Sequence, residues 1–275
     1  MKKFFLLVLV VCLGAKEYYP IGPSVTGAAA GSTVAKGTII LQLESVSAKI
    51  KNNQAGIDVQ KEVFIPKIRV GLGEGWDVRW QTPFLFNTIY QAPRNKSVRG
   101  PTDSLLLFHK QFVLETEGYF LGIGTDYIVS IPTDGSLATG NGAFGAGIGL
   151  GASWRFQSMG VDFDMAVIGY ARGRLYEESP WFYIKTRYAY ALSRYFDVGA
   201  ELNWDYRNDY YASNLKQGYH TLYIGPMVGL KVPSWKNFSI GLVTYYAAYE
   251  KYNVEIPSGE KTERFRFVVR ANLFF

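Results

Sequence analysis

The stretch Gly142-Ala143-Phe144-Gly145-Ala146-Gly147-Ile148-Gly149-Leu150-Gly151-Ala152-Ser153-Trp154-Arg155-Phe156 decides how the rest of the chain is read. Its even positions include Phe144, Ala146, Ile148, Leu150, Trp154 and Phe156, whereas its odd positions are Ala143, glycines, Ser153 and Arg155. A period of two puts these sets on opposite faces of one strand, one apolar and aromatic, the other small or polar. Phe196 to Arg207 repeats the pattern, with Phe196, Val198, Ala200, Leu202, Trp204 and Tyr206 opposing Asp197, Gly199, Glu201, Asn203, Asp205 and Arg207. Soluble strands are commonly about 5–6 residues long. Segments roughly twice that length suit strands that cross a bilayer at a tilt and extend beyond it.

Working outward, the alternation predicts strands at Gly37–Ile50, Val59–Gly73, Trp76–Phe86, Ser104–Glu115, Tyr119–Ile131 and Gly142–Phe156. Six more follow at Val161–Arg172, Trp181–Leu192, Phe196–Arg207, Tyr219–Val232, Phe238–Tyr249 and Arg264–Phe275. The fold class is therefore all-β, a transmembrane antiparallel up-and-down barrel of about twelve strands, an even number as in single-chain bacterial barrels. Tight turns such as Glu74-Gly75 and Gln157-Ser158-Met159-Gly160 alternate with long polar segments, notably Asn87–Asp103, Asn208–Gly218 and Glu250–Glu263. Short turns belong on the periplasmic side, so both termini are expected there. The last strand carries Phe265, Phe267, Val269, Ala271, Leu273 and Phe275 on one face. A terminal aromatic there resembles the signal read by outer-membrane assembly machinery, an expected partner along with outer-membrane lipids.

Composition agrees. Tyr, Phe and Trp number 20, 18 and 6, yet beyond residue 15 no apolar run approaches the length of a membrane helix. Lys2 and Lys3, the apolar run Phe4–Cys12 and the small residues Gly14 and Ala15 read as a secretory signal peptide. Val11 before Cys12 disfavours lipid attachment, and loss of Cys12 with the leader leaves no cysteine for a disulfide or thiolate metal site. The expected organisation is a signal peptide over 1–15, a periplasmic or lumen-inserted segment over 16–35, and an outer-membrane barrel over 36–275. The Gly/Ala/Ser/Thr-rich 16–35 segment has no core of its own, and occupancy of the lumen is favoured for it. Mild basicity without a Lys/Arg run or nucleic-acid motif excludes a nucleic-acid partner.

Carried inward, the same parity gives a lumen of mixed sign. Its candidates are Glu44, Arg69, Asp77, Arg79, Asp126, Lys185, Arg187, Glu201, Asp205, Arg207, Arg264, Arg266 and Arg270, with Lys67, Asp162, Asp164 and Arg172 beside them. Arg or Lys facing lipid at the midplane costs about 2–4 kcal/mol, which favours the interior. There such ions either pair to stiffen the wall or touch solute. Twelve strands lie between barrels filled by side chains and open water channels. The column Gly145, Gly147, Gly149, Gly151 either widens the bore or relieves curvature.

Several short motifs resemble one family. Lys36-Gly37-Thr38, Arg69-Val70-Gly71-Leu72-Gly73-Glu74-Gly75-Trp76-Asp77-Val78, Gly100-Pro101-Thr102-Asp103 and Ile131-Pro132-Thr133-Asp134-Gly135 look like the outer-membrane family associated with meta-pathway phenol degradation. The resemblance spans most of the mature chain and implies a transporter of small hydrophobic or aromatic compounds. The chain departs from the pattern at Thr102 and at His109, so no role is carried over to Asp103.

The expected function is thus a porin-like channel, passing such compounds by diffusion through a polar lumen. The alternatives are a structural barrel or a lipid-modifying enzyme. A lipid hydrolase of this build needs a Ser two residues after a His, but His109 and His220 are followed at that spacing by Gln111 and Leu222. No enzyme activity, cofactor or metal is expected. Asp162 and Asp164, near a turn, read as a solvated rim rather than as acid and base.

Overall fold

The computed structural model describes residues 31–52, 57–90, 96–115, 119–133, 142–171, 176–177, 180–212, 215–232, 238–252, 261–262 and 265–275. The expected signal peptide, residues 16–30 of the N-terminal segment, Arg172 and Arg264 lie outside them.

Among the described residues there are twelve membrane-spanning strands and no helix. They are β1 (Ile39–Asn52), β2 (Ile57–Gly73), β3 in two pieces (Trp76–Gln81 and Phe84–Tyr90), β4 in two pieces (Lys96–Pro101 and Ser104–Glu115), β5 (Phe120–Ile131) and β6 (Gly145–Phe156). The chain continues through β7 (Met159–Tyr170), β8 (Trp181–Ala191), β9 (Phe196–Ala212), β10 (Leu215–Lys231), β11 (Phe238–Tyr252) and β12 (Phe265–Phe274). Two-residue outposts at Tyr176–Glu177 and Lys261–Thr262 pair with β9 and β1. Each strand is antiparallel to its sequence neighbours. β1 and β12 close the sheet in a register running from Ile40 opposite Phe274 to Ala48 opposite Arg266. Ile39 and Phe275 seal this seam with reciprocal backbone hydrogen bonds of 3.1 and 2.9 Å.

Every expected strand exists, but three expected loops are shorter than the sequence suggests. β3 continues to Tyr90 and β4 begins at Lys96, so most of the Asn87–Asp103 loop is strand. β9 and β10 reach Ala212 and Leu215, which reduces the Asn208–Gly218 loop to a hairpin tip. β11 likewise extends to Tyr252. These extensions, such as Asn208–Ala212, carry no clear apolar/polar alternation in sequence. The pattern that identifies strands therefore ends before the ladder does.

Both interrupted strands break beside a proline or a Thr-Asp pair. Pro83 offers no N–H to the ladder. Hydroxyls take over there: Thr82 Oγ1 lies 2.7 Å from Ser104 Oγ, Ser104 Oγ 3.2 Å from Thr133 Oγ1, and Thr133 Oγ1 donates to the Thr102 carbonyl at 2.5 Å. The Gly100–Asp103 and Ile131–Thr133 motifs, remote in sequence, thus meet on adjoining strands. At the opposite end Glu74 and Gly75 both have positive φ (53° and 74°), the geometry of a type I′ hairpin.

The two faces of the sheet differ completely. Outside stand Phe144 (62% exposed), Phe112 (60%) and Trp80 (55%), with Leu43, Ile148, Val228, Leu242 and Phe267 among many other exposed apolar groups around the circumference. Inside, Asp77, His109, Asp126, Asp162 and Arg187 are all but inaccessible. An apolar jacket this continuous has no place in water. A closed sheet satisfies every backbone group without an edge, so the chain is an outer-membrane β-barrel.

Candidate functional site

The barrel interior holds a cavity of about 400 Å³. The end of the barrel that carries the termini is crossed by the residues just before β1. Gly31 N donates to Ser153 Oγ on β6 (3.1 Å), Thr33 N to Gln111 Oε1 on β4 (2.9 Å), and Arg69 Nη2 on β2 to the Ser32 carbonyl. Two glycines permit this crossing. A Cβ on Gly122 would stand 2.6 Å from Gly31 O, and one on Gly71 2.0 Å from Ala35 O. Ser32–Ala35 thereby form one wall of the cavity.

At mid-height the strand registers assemble a belt of ions. On β2 and β3, Arg69 and Arg79 are direct cross-strand partners, and Asp77 relieves their repulsion by pairing with both, at 3.2 Å to Arg79. Arg79 also reaches Asp126 on β5 (3.8 Å), which accepts from His109 Nδ1 on β4 (2.8 Å). Nε2 of His109 faces Gly124, a position with no side chain to meet it. On β6 and β7, Asp162 takes a two-pronged bond from Arg155 (2.8 and 2.9 Å), a second ion pair from Arg187 on β8, and the hydroxyl of Ser153 (2.6 Å). At the closing seam Arg270 on β12 joins Glu44 on β1 and Glu201 on β9, each at 2.7 Å, while Lys67 reaches Glu44 at 3.1 Å and Tyr245 donates to Glu201.

Of the charged residues singled out in the sequence, Glu44, Arg69, Arg79, Lys185, Arg187, Glu201, Arg266 and Arg270 line the cavity. Asp77 and Asp126 lie behind them, fully buried among their partners. Asp205 accepts from Trp181 Nε1 (3.2 Å), and Arg207 stacks 5.0 Å over the Tyr170 ring. Arg266 stacks over Tyr223 at 4.2 Å. Arg264 lies outside the described residues.

Two readings need correction. Asp162 and Asp164 do not form a solvated rim: Asp162 is 0% exposed and Asp164 lines the cavity, because the adjoining turn is only Gln157-Ser158 and strand tilt carries both residues inward. Nor does the glycine column widen the bore. Tyr170 and Ile168 lie over it, so that a Cβ on Gly145 would be 2.8 Å from the Tyr170 ring.

Sequence reasoning passed over His109, Gln111, Ser153 and Tyr245. Ser153 and Tyr245 carry the signal of inward parity opposite a charged partner, Asp162 and Arg266, whereas a bulge in β4 hides His109 and Gln111. Above the belt, away from the termini, the wall changes to Leu105, Leu107, Ile128, Ile168, Trp181 and Tyr183. The cavity is therefore amphipathic along the barrel axis, ionic below and mostly apolar above, where Arg266 lines it and Asp205 accepts from Trp181.

No family model matches the chain, and no curated protein matches it in sequence. Among solved structures, the COG4313 outer membrane channel from Pseudomonas putida F1 aligns over 89% of this chain and 97% of its own, at 12% identity and a TM-score of 0.69. That level shows a shared fold. Weaker likenesses are to the beta domain of the Bordetella autotransporter BrkA, over 86% and 100% of the two chains (12%, TM-score 0.48), and to a Pseudomonas aeruginosa FadL homologue, over 94% and 99% (8%, TM-score 0.43).

Proposed function

We propose that the protein is an outer-membrane channel that passes single small hydrophobic or aromatic molecules through its lumen. The observation that carries this is the lumen cavity of about 400 Å³ with an apolar wall above the ion belt. Sites for small organic molecules span roughly 300–1,000 Å³ and are mostly apolar with a few placed polar groups. Bulk aqueous diffusion needs a wider bore than a belt of paired ions leaves. The motif resemblance to the phenol-degradation family and the fold shared with a known outer membrane channel support the same reading.

In this account both termini lie in the periplasm, residues 1–15 are removed on export, and Ser32–Ala35 narrow the periplasmic mouth. Phe275, 64% exposed at the end of the closing strand, is the group presented to the assembly machinery. The test is uptake of a labelled aromatic alcohol such as 4-phenylbutanol by intact Gram-negative cells that make the protein, against matched cells without it. Faster initial uptake is expected, and equal rates would refute the channel reading.

A further inference from the structure

Within the belt, most cations are held by a carboxylate, and Lys185 and Arg187 are held least completely. Lys185 on β8 lines the cavity and makes no ion pair or hydrogen bond among the described residues; its Nζ stands 4.8 Å over the Tyr183 ring. Arg187, two positions along the same face and 2% exposed, pairs with Asp162, but both oxygens of Asp162 already accept from Nη2 of Arg155. Nε and Nη1 of Arg187 are buried without a hydrogen-bond partner. A buried guanidinium with open donors costs stability unless something fills them. Asn203, the cross-strand partner of Lys185 on β9, places a buried carboxamide beside them.

Two carboxylates stand near these groups and have to be weighed. Glu201, opposite Arg187, is already engaged by Arg270 and Tyr245. Asp164, opposite Lys185, has a buried unpartnered oxygen of its own, but Lys185, Arg79 and Lys67 all act on it electrostatically. A cation approaching Asp164 would meet Lys185, Arg79 and Lys67, whereas an anion approaching Lys185 and Arg187 meets Asp164, with Asp162 and Glu201 already engaged by Arg155 and Arg270.

Resting on the channel reading above, we propose that the lumen contains a binding site for amphipathic anions. The acidic group is held by Lys185 and Arg187 beside Asn203, and the apolar body lies toward Tyr183, Trp181 and Ile128. Geometry supports that polarity. Residues two apart on one strand face are about 6.6–6.8 Å apart along it, within which a lysine and a guanidinium both reach one carboxylate. From Lys185 the same face of β8 continues through Tyr183 to Trp181, away from the termini and into the apolar chamber, so head and tail have separate places.

The test is equilibrium binding to the folded full-length protein of three probes that differ only in the head group: 4-phenylbutyrate, 4-phenylbutanol and 4-phenylbutylamine. Charge-assisted hydrogen bonds predict that the carboxylate binds at least about tenfold tighter than the alcohol, and that in Lys185→Gln this ratio falls to near one. Equal affinities, or a preference that survives Lys185→Gln, would overturn the site. Tightest binding of the amine, lost in Asp164→Asn, would overturn it in favour of a cation site. Cellular uptake separates this from the parent reading: a carboxylate preference in binding without protein-dependent uptake would leave the site and remove the channel. Uptake without any head-group preference would leave the channel and remove the site.

Discussion

Arg270 shows how a single residue in the wall bears on the whole. It lies on the last strand opposite Glu44 on the first, and its guanidinium joins Glu44 to Glu201 on β9, three strands away. Replacing it by Gln leaves Glu201 with the Tyr245 hydroxyl and Glu44 with Lys67 alone, and breaking a buried ionic set of this kind costs about 3–5 kcal/mol. Arg270→Gln should therefore unfold at clearly lower temperature in a heat-modifiable gel-mobility assay, and an unchanged transition would mean that the set does not form. The Glu44–Arg270 pair was legible, because both ends of the chain fix the closing register and parity does the rest. The His109–Asp126 pair was not. Between that pair and the nearest turn, β4 bulges at Phe112, so that Gln111 opposes Gly124 while Val113 opposes Ile123. Counting from the turn without the bulge puts His109 opposite Tyr127 on the lipid face, since a one-residue slip turns every later side chain over.

Strands were easier to read than single contacts where lipid meets one face and the lumen the other, as in β6 and β9. Their extensions were invisible for the opposite reason, since no clear alternation runs through them. The direction of the barrel belongs to this scale. The short turns, exemplified by Ser193–Tyr195, share an end with both termini, and the extended hairpin of Phe84–Tyr90 with Lys96–Pro101 lies at the other. Ser97 and Arg194 are exposed at these opposite ends, whereas Ser158 is 2% exposed and would stay unlabelled on either side. A cysteine at Ser97 should react with a membrane-impermeant maleimide on intact cells, and one at Arg194 only after lysis. The reverse pattern would turn the molecule over.

At the scale of the molecule, the account joins a twelve-strand wall, an ion belt and a chain segment laid across one mouth. The wall was written in the sequence as twelve alternating runs. The crossing was only hinted at by the small residues before Lys36, because a segment without periodicity declares no partner; what seats it is the bareness of Gly122 and Gly71, which no pattern reveals. Gly122→Val should push Gly31 off its place against β5, releasing the bond to Ser153, and raise single-channel conductance several-fold with thermal stability little changed. Conductance equal to that of the unaltered chain would mean that the segment does not limit the opening. The measurement that bears most directly on the lumen as the solute path is ionic current through single refolded barrels in a planar bilayer, with and without 4-phenylbutanol. The account predicts a small steady current that the alcohol reduces in a concentration-dependent way, because solute and ions share one cavity. A current indifferent to the alcohol, or no current even in Gly122→Val, would contradict it.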